Sequence, residues 1–107
     1  HMSSLDYEQF GSHKKVFKQY SGEENWRFLV KLGLPIDEGE GNEHLWFDVT
    51  DINDDDTMNV ILLNQPYQIE KYNQNDALVF PIEHLTDWLI YGPEKNYTPD
   101  SIYELFT

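Results

Sequence analysis

Hydrophobic and polar residues alternate along successive segments of the chain, which is the pattern of half-buried β-strands. In segment 26–34 apolar residues occupy every second position, with Arg27 and Lys31 on the opposite face. Segment 43–52 alternates in the same way, and segment 57–63 contains the run Val60-Ile61-Leu62-Leu63, which is apolar on both faces and typical of a central strand. These three segments predict the middle of an antiparallel sheet.

Turn-forming residues separate these segments and mark two shorter strands. Residues 53–56 (Asn-Asp-Asp-Asp) predict a four-residue acidic hairpin loop, because Asn and Asp bond their own backbone and tolerate left-handed conformations. Segment 77–80 predicts a short strand that ends at a proline. Segment 83–87 predicts a tight turn, and segment 88–91 predicts the last strand.

Helical patterns lie at the two ends of the chain. Segment 5–20 has an imperfect 3.6-residue period interrupted by Gly11. Near the other end, Thr98-Pro99 is a good helix start and predicts a short helix over 101–106. We therefore expect an α+β fold: a strongly bent antiparallel sheet or partly open barrel of about five strands, with an N-terminal helix and a short C-terminal helix.

The length predicts one domain. Residues 1–4 are interpreted as a tag remnant and frayed end, and residues 5–107 as a single domain. There is no cysteine, which excludes disulfides, zinc–thiolate sites and thiol catalysis. No apolar run reaches 18 residues, so we expect no membrane span and a cytoplasmic protein. The tag remnant leaves open a removed signal peptide.

Net charge is the property of the chain that most narrows its possible partners. The chain has 20 acidic and 7 basic residues and a formal net charge of −13. Such a chain is repelled by phosphates, which argues against direct nucleic-acid binding and against docking on an anionic membrane. A basic protein is the natural partner. Two alternatives stay open: acidity that only maintains solubility, and DNA mimicry, which needs a carboxylate spacing that sequence does not reveal.

The acidity is concentrated between residues 37 and 56, where no Lys or Arg occurs. Within this region, Asp51-x-Asn53-x-Asp55 matches the opening of a calcium-binding EF-hand loop. The sixth position should be Gly but is Asp56, and the twelfth should be Glu but is Leu62. The flanking segments are also strands rather than helices. We therefore expect no tight calcium or zinc site, and no cofactor, with weak cation binding as an alternative to a solvated loop.

His44 and His84 are the candidate ligands or bases, although no catalytic motif accompanies them. Glu43 and His44 are neighbours on a strand and point to opposite faces, so they cannot share a site without a bulge. A pair between a histidine and Asp87 could perform acid–base chemistry. No serine elbow, phosphate-binding glycine loop or helical His pair is present. A structural hydrogen-bonding role is the favoured interpretation of His44.

Two tryptophans carry structural predictions. Trp46 lies on the strand face opposite Leu45 and Phe47, so it is either buried beneath terminal helices, which we favour, or part of a recognition surface. Trp88 is predicted to be buried and to help close the sheet. Asp87 is then a turn residue whose carboxylate accepts backbone N–H groups.

Four motifs occur in an order that resembles a known family. They are GEGNEHLW at 39–46, LLNQPY at 62–67, NDALVFP at 75–81 and LTDW at 85–88. The chain resembles the YegJ-like family of bacterial proteins of unknown function over about residues 28–91. Asn75 stands where the family pattern has Gly, but Asn tolerates positive φ, so the turn is expected to form. The resemblance implies little about activity.

Two functional hypotheses follow. The first is a noncatalytic protein-interaction domain whose acidic surface binds a basic partner, for instance as an immunity or antitoxin-like protein; this form rests on analogy of size and charge. The second is a small enzyme or ligand-binding domain with a site around His44, Trp46, Asn64 and Asp87. The oligomeric state is open. Across both hypotheses, the candidate binding residues are Glu43, His44, Trp46, Asp54, Asp55, Asp56, Asn64 and Asp87.

Overall fold

One helix and six antiparallel strands form the part of the chain that the computed structural model describes, residues 4–102 and 104, with side chains from residue 10 onward. The expected α+β class is confirmed. The elements are α1 (Ser4–Tyr20), β1 (Arg27–Pro35), β2 (Asn42–Ile52), β3 (Thr57–Leu62), β4 (Ala77–Pro81), a 3₁₀ turn (Ile82–His84), β5 (Leu85–Tyr91) and β6 (Asn96–Tyr97).

The strands form one open sheet in the order β4-β3-β2-β1-β5-β6, with every neighbouring pair antiparallel. The structure has an open sheet of six strands, with β4 and β6 at its edges, rather than the partly open barrel of about five strands given as one expectation. The longest strands, β1 and β2, occupy the centre and pair over seven residue positions, from Leu29↔Asp48 to Pro35↔Asn42.

The alternating segments form the strands predicted from them, within one or two residues at each end. Along β1, Phe28, Val30, Leu32 and Leu34 are buried, and along β2 the same holds for Leu45, Phe47 and Val49. The acidic loop 53–56 joins β2 to β3 in the predicted hairpin, with the Asn53 N–H donating to the Thr57 carbonyl at 2.8 Å. Asp56 and Asn75 adopt positive φ, of 63° and 76°, so the turn predicted at Asn75 forms.

The turn predicted at 83–87 lies earlier and is shorter, because the 3₁₀ turn spans Ile82–His84 and β5 already begins at Leu85. Leu85 pairs with Leu32 and Asp87 with Lys31, which leaves Thr86 as an extra residue in a β-bulge. The Thr86 hydroxyl donates to the Lys31 carbonyl at 3.0 Å and fastens the bulge to β1. A bulge and a turn use similar residues, which explains the error.

The chain after β5 also differs from expectation. Strand β6 is two residues long and was not predicted. In place of the short C-terminal helix, the structure has a 3₁₀ turn at Ile102 and Glu104; residues 103 and 105–107 of the predicted helix lie outside the described residues. Thr98 starts this turn as predicted, with its carbonyl accepting the Ser101 and Ile102 N–H groups.

Helix α1 covers one face of the sheet, which we call the inner face. Its residues His13 and Phe17 lie against the Phe28 ring, His13 also lies against Trp88, and Phe10 stacks on His13. Gly11 is tolerated because it lies on the exposed side of the helix. The opposite, outer face carries the alternate side chains of each strand, and no described helix packs on it.

Candidate functional site

The candidate residues on β2 point to opposite faces, as predicted. The Glu43 carboxylate lies on the inner side and accepts the backbone N–H of Tyr67 at 3.0 Å and that of Gln68 at 2.9 Å. His44 lies on the outer face, where Nδ1 is 3.3 Å from the Thr86 hydroxyl. Glu43 therefore anchors a loop, and His44 contacts the bulge of β5.

His44 occupies space provided by a glycine on the neighbouring strand. Gly33 is its cross-strand partner, and a Cβ at Gly33 would lie 3.0 Å from His44 Cε1 and 3.4 Å from Thr86 Cγ2. A side chain at position 33 would push the imidazole away from Thr86. In this geometry the Thr86 hydroxyl is a partner for the hydrogen bond predicted for His44.

Trp46 lies in the middle of the outer face. Its indole ring is half-buried, and Lys31 Nζ is 5.8 Å from the ring centroid. The favoured expectation that terminal helices would bury Trp46 is wrong, because α1 packs on the inner face. Asn64 contacts Trp46 through the backbone, since Asn64 Oδ1 accepts the Trp46 N–H at 2.8 Å. This bond continues the β2–β3 pairing beyond the end of β3.

Trp88 is buried as predicted, with 1% of its surface exposed. It lies on the inner face beside His13, at a ring-centroid distance of 5.0 Å. Asp87 is a strand residue rather than a turn residue, although its carboxylate accepts the Trp88 N–H at 2.8 Å, which is the kind of bond expected. Asp87 faces outward beside Lys31, its cross-strand partner.

The acidic loop lies at the far end of β2 from Glu43. Ile52 lies nine residues after Glu43, a distance of about 30 Å at ~3.3 Å per residue, so Asp54, Asp55 and Asp56 share no site with Glu43, His44 or Asn64. Asp55 accepts the Thr57 hydroxyl at 2.6 Å, and this bond holds the pKa of the Asp55 carboxyl below its usual range. Asp56 lies 3.4 Å from Lys14 of α1.

A different group of acidic residues borders the cleft that the structure forms beside the β1–β2 turn. This cleft has a volume of about 430 Å³ and is lined by Asp37, Glu38, Tyr67, Gln68 and Glu70; we call it the acidic cleft. Tyr67 is 95% exposed, an unusual state for an aromatic residue of this size.

Two carboxylates build the acidic cleft by holding its backbone. Asp37 accepts the Glu70 N–H at 2.8 Å, and its own N–H donates to the Gln68 carbonyl at 2.9 Å. Glu43 holds the next part of the same segment, as described above. The exposed carboxylates of Glu38 and Glu70 remain at the surface of the cleft beside the Tyr67 ring.

The acidic cleft was not predicted from the sequence. Only Glu43 and the general acidity of segment 37–56 were noted in this region. Pro66 and Tyr67 were noted only as the end of the motif at 62–67. His44, Trp46, Asn64 and Asp87 line neither the acidic cleft nor two further clefts of the described chain, one beside Trp26 and Thr50 and one beside Pro35 and His84. Within the described residues, no group of three or more His, Asp or Glu side chains is placed to hold a metal ion. No helix of the described chain is both long and apolar enough to cross a membrane.

Comparison with known proteins supplies the family. A family of uncharacterized proteins conserved in bacteria, DUF2314, matches residues 9–104. The chain belongs to the DUF2314 family. The expected membership of a bacterial family of unknown function is thereby confirmed, and the match covers α1 from residue 9 onward and all six strands. Neither the curated proteins nor the solved structures searched gave a match to this DUF2314 member.

Proposed function

We propose that this protein is a noncatalytic interaction domain that binds a basic protein partner through the acidic cleft. The supporting observation is the combination of exposed Glu38 and Glu70 carboxylates with the protruding ring of Tyr67 around one concavity. Tyr residues are common binding hot spots, and carboxylates pair well with Arg and Lys side chains. The partner thus presents a cationic side chain to the cleft.

Electrostatics favour this kind of partner over others. The whole chain carries a net charge of −13, so a basic protein is attracted from a distance and nucleic acids are repelled. The cleft is held by backbone bonds to Asp37 and Glu43, so it is formed before the partner arrives. A pre-formed cleft reduces the ordering cost of binding. An immunity or antitoxin-like role is one concrete form of this function.

The test compares two double variants of equal charge. Glu38→Lys/Glu70→Lys alters the acidic cleft, and Glu23→Lys/Glu24→Lys alters exposed acids in the turn after α1; each changes the net charge from −13 to −9. Partners are captured from the source bacterium on the immobilised chain, identified by mass spectrometry and titrated by calorimetry. We expect a basic partner whose affinity falls at least tenfold with the cleft variant and less than threefold with the control.

Two results would contradict the proposal. One is a specific partner that is itself acidic or neutral. The other is equal weakening by the two double variants, which would mean that binding depends on overall charge alone. Affinity should also fall between 50 mM and 300 mM NaCl, since the attraction is electrostatic.

A further inference from the structure

The outer face of the sheet is a second surface, and its chemistry differs from that of the acidic cleft. Cross-strand pairing places Leu89, Leu29, Asp48 and Ile61 in one row and Asp87, Lys31 and Trp46 in the next. Leu63 extends the second row, since its N–H donates to the Trp46 carbonyl at 2.9 Å. We call these residues, together with Arg27 and Tyr91, the outer patch.

Apolar side chains form the body of the outer patch. Leu29, within the first of these rows, is 7% exposed. Trp46, Ile61, Leu63, Leu89 and Tyr91 are each half-buried. A contiguous half-exposed apolar surface across four strands is typical of an interaction surface.

The charges of the outer patch cancel. Arg27 and Lys31 lie on β1, and Asp48 and Asp87 lie on the strands at either side. The Arg27 guanidinium already pairs with Asp48 at 2.9 Å. The patch therefore has a formal charge of zero, or −1 when Asp51 at the end of β2 is included, on a molecule that carries −13.

This distribution of charge indicates which molecule binds the outer patch. A basic partner is drawn to the acidic surfaces and gains nothing electrostatically from a neutral face. A second copy of this chain is repelled by the acidic surfaces, and the outer patch is an apolar face on which it meets no excess of like charge. We propose that two copies of this protein associate through their outer patches, with the two sheets stacked face to face.

The arrangement of charges is also self-complementary. A column of cations on β1 lies between carboxylates on β2 and β5, and neighbouring strands are about 4.8 Å apart. A two-fold axis along the gap between β1 and β2 sets β1 of each copy over β2 of the other. Lys31 of one copy then meets Trp46 of the second copy, and Arg27 approaches Asp48. Such a contact is isologous, as in most dimers.

The size of the outer patch predicts a weak dimer. Four strands at ~4.8 Å and five residues at ~3.3 Å cover roughly 300–400 Å² in projection on each copy. Stable dimers bury about 800 Å² per partner or more. We therefore expect an equilibrium between monomer and dimer at concentrations of tens to hundreds of micromolar. Added salt should favour the dimer, because it screens the repulsion between two chains of charge −13.

Sedimentation velocity at 10–500 µM protein in 50 mM and 500 mM NaCl tests the proposal. We expect a species of about twice the 12.7 kDa monomer mass that grows with concentration and with salt. Lys31→Glu places a carboxylate in the outer patch and should reduce the association constant at least tenfold at 500 mM NaCl. Lys18→Glu, on the exposed side of α1, gives the same net charge of −15 and should stay within twofold of the wild type.

A dilution series of ¹H–¹⁵N spectra of the wild-type protein maps the contact without any substitution. Signals of Leu29, Lys31, Trp46 and Leu89 should shift with concentration, and those of Tyr67 and Glu70 should not. A protein that stays monomeric at 500 µM in 500 mM NaCl would overturn the proposal. Concentration-dependent shifts that map to the β4 edge, to α1 or to the acidic cleft would overturn it as well. Because partner capture weakens with salt, failure of one proposal is distinguishable from failure of the other.

Discussion

His13 is a fully buried imidazole whose two ring nitrogens have no hydrogen-bond partner among the described residues. It lies within 5.0–5.7 Å, between ring centroids, of Phe10, Phe28 and Trp88. Burial in this apolar surrounding lowers the pKa of His13 from 6.5 to about 3, because a charged imidazolium would be desolvated there. The indole N–H of Trp88 also has no described partner, so this aromatic cluster contains more than one unsatisfied polar group.

We predict that His13 makes the fold sensitive to acid. The folded-state pKa is depressed, so the neutral imidazole is favoured in the native protein and the unfolded chain binds the proton first. This contribution to stability is complete above pH 6.5 and is lost as the pH falls towards 3. Between pH 7 and pH 4.5 it removes roughly 2–3 kcal/mol from the free energy of unfolding.

Urea unfolding of His13→Leu at pH 7 and pH 4.5 checks this prediction. The variant should lose less stability than the wild type on acidification, by about that amount. It should also be more stable at pH 7, since it removes unsatisfied buried polar atoms. His44→Gln, which removes an exposed histidine, is the control and should keep the wild-type difference between the two pH values. Equal acid sensitivity in all three proteins would show that His13 is not the responsible group.

Trp88 is predicted to be a residue of the fold and not of a binding site. It contacts His13 and pairs across the sheet with Val30, and truncating a buried Trp typically costs about 3–5 kcal/mol. Trp88→Ala should therefore melt many degrees lower or fail to fold, while Tyr67→Ala, at an exposed position, should change the melting temperature little. If Trp88→Ala kept the wild-type melting temperature and lost partner binding, Trp88 would belong to a site.

At the scale of elements, the central strands could be predicted because local sequence determines them. In β1 each inward position is apolar, in β2 the inward positions from Leu45 to Val49 are apolar, and the turns carry Gly, Pro or Asn, so periodicity and turn chemistry agree. Strand β5 was shortened in the prediction because Thr86 is a bulge residue, and bulges are defined by the neighbouring strand. Strand β6 has two residues, which is too short for any periodicity.

The acidic cleft and the outer patch could not be predicted, since each is formed by segments that are distant in sequence. Asp37 follows β1, whereas Glu70 lies 33 residues later, and the hydrogen bonds of Asp37 with Gln68 and Glu70 join the two segments. The exposure of Tyr67 depends on the path of the same loop. For Trp46, alternation gave the correct face but not what covers that face, because the helix could have packed on either side.

Glu43 is predicted to hold the loop that carries Tyr67. Its carboxylate accepts two backbone N–H groups, and hydrogen bonds to charged acceptors contribute about 1.5–3 kcal/mol. In Glu43→Gln we expect faster amide exchange at Tyr67 and Gln68, while exchange in β1 changes little. The control is Glu40→Gln, an equal loss of charge in the exposed β1–β2 turn. Unchanged protection of Tyr67 and Gln68 in Glu43→Gln would mean that Glu43 does not position the loop.

At the scale of the whole molecule, the two proposed surfaces have different roles. The acidic cleft attracts a basic partner, and the outer patch is where two copies meet without an excess of like charge. The acidic cleft and the loop 53–56 carry unbalanced carboxylates, whereas the outer patch balances its charges within itself. Salt therefore acts with opposite sign on the two: it weakens attraction of a basic partner and relieves repulsion between copies. Partner binding and self-association can thus occur together, because the cleft lies beside the β1–β2 turn and not on the outer patch.

The same imbalance of charge predicts how salt affects folding of the monomer. Compact packing of 20 acidic and 7 basic residues brings like charges together, and this self-repulsion destabilises the folded state. Salt also weakens ion pairs, but the described pairs Lys14–Asp56, Arg27–Asp48 and Lys95–Glu104 involve partly exposed side chains that contribute at most about 1 kcal/mol each. Relief of repulsion should be the larger effect, so the melting temperature should rise between 20 mM and 500 mM NaCl. A gain of about 1 kcal/mol corresponds to roughly 4–8 °C in a domain of this size.

The melting temperature is measured at 5 µM protein, below the range expected for the dimer, and again at 1 µM to show that association does not contribute. Glu23→Lys/Glu24→Lys, with a net charge of −9, should gain less than the wild type. A melting temperature that falls with salt, or an equal rise in both proteins, would mean that self-repulsion does not limit the stability of this fold.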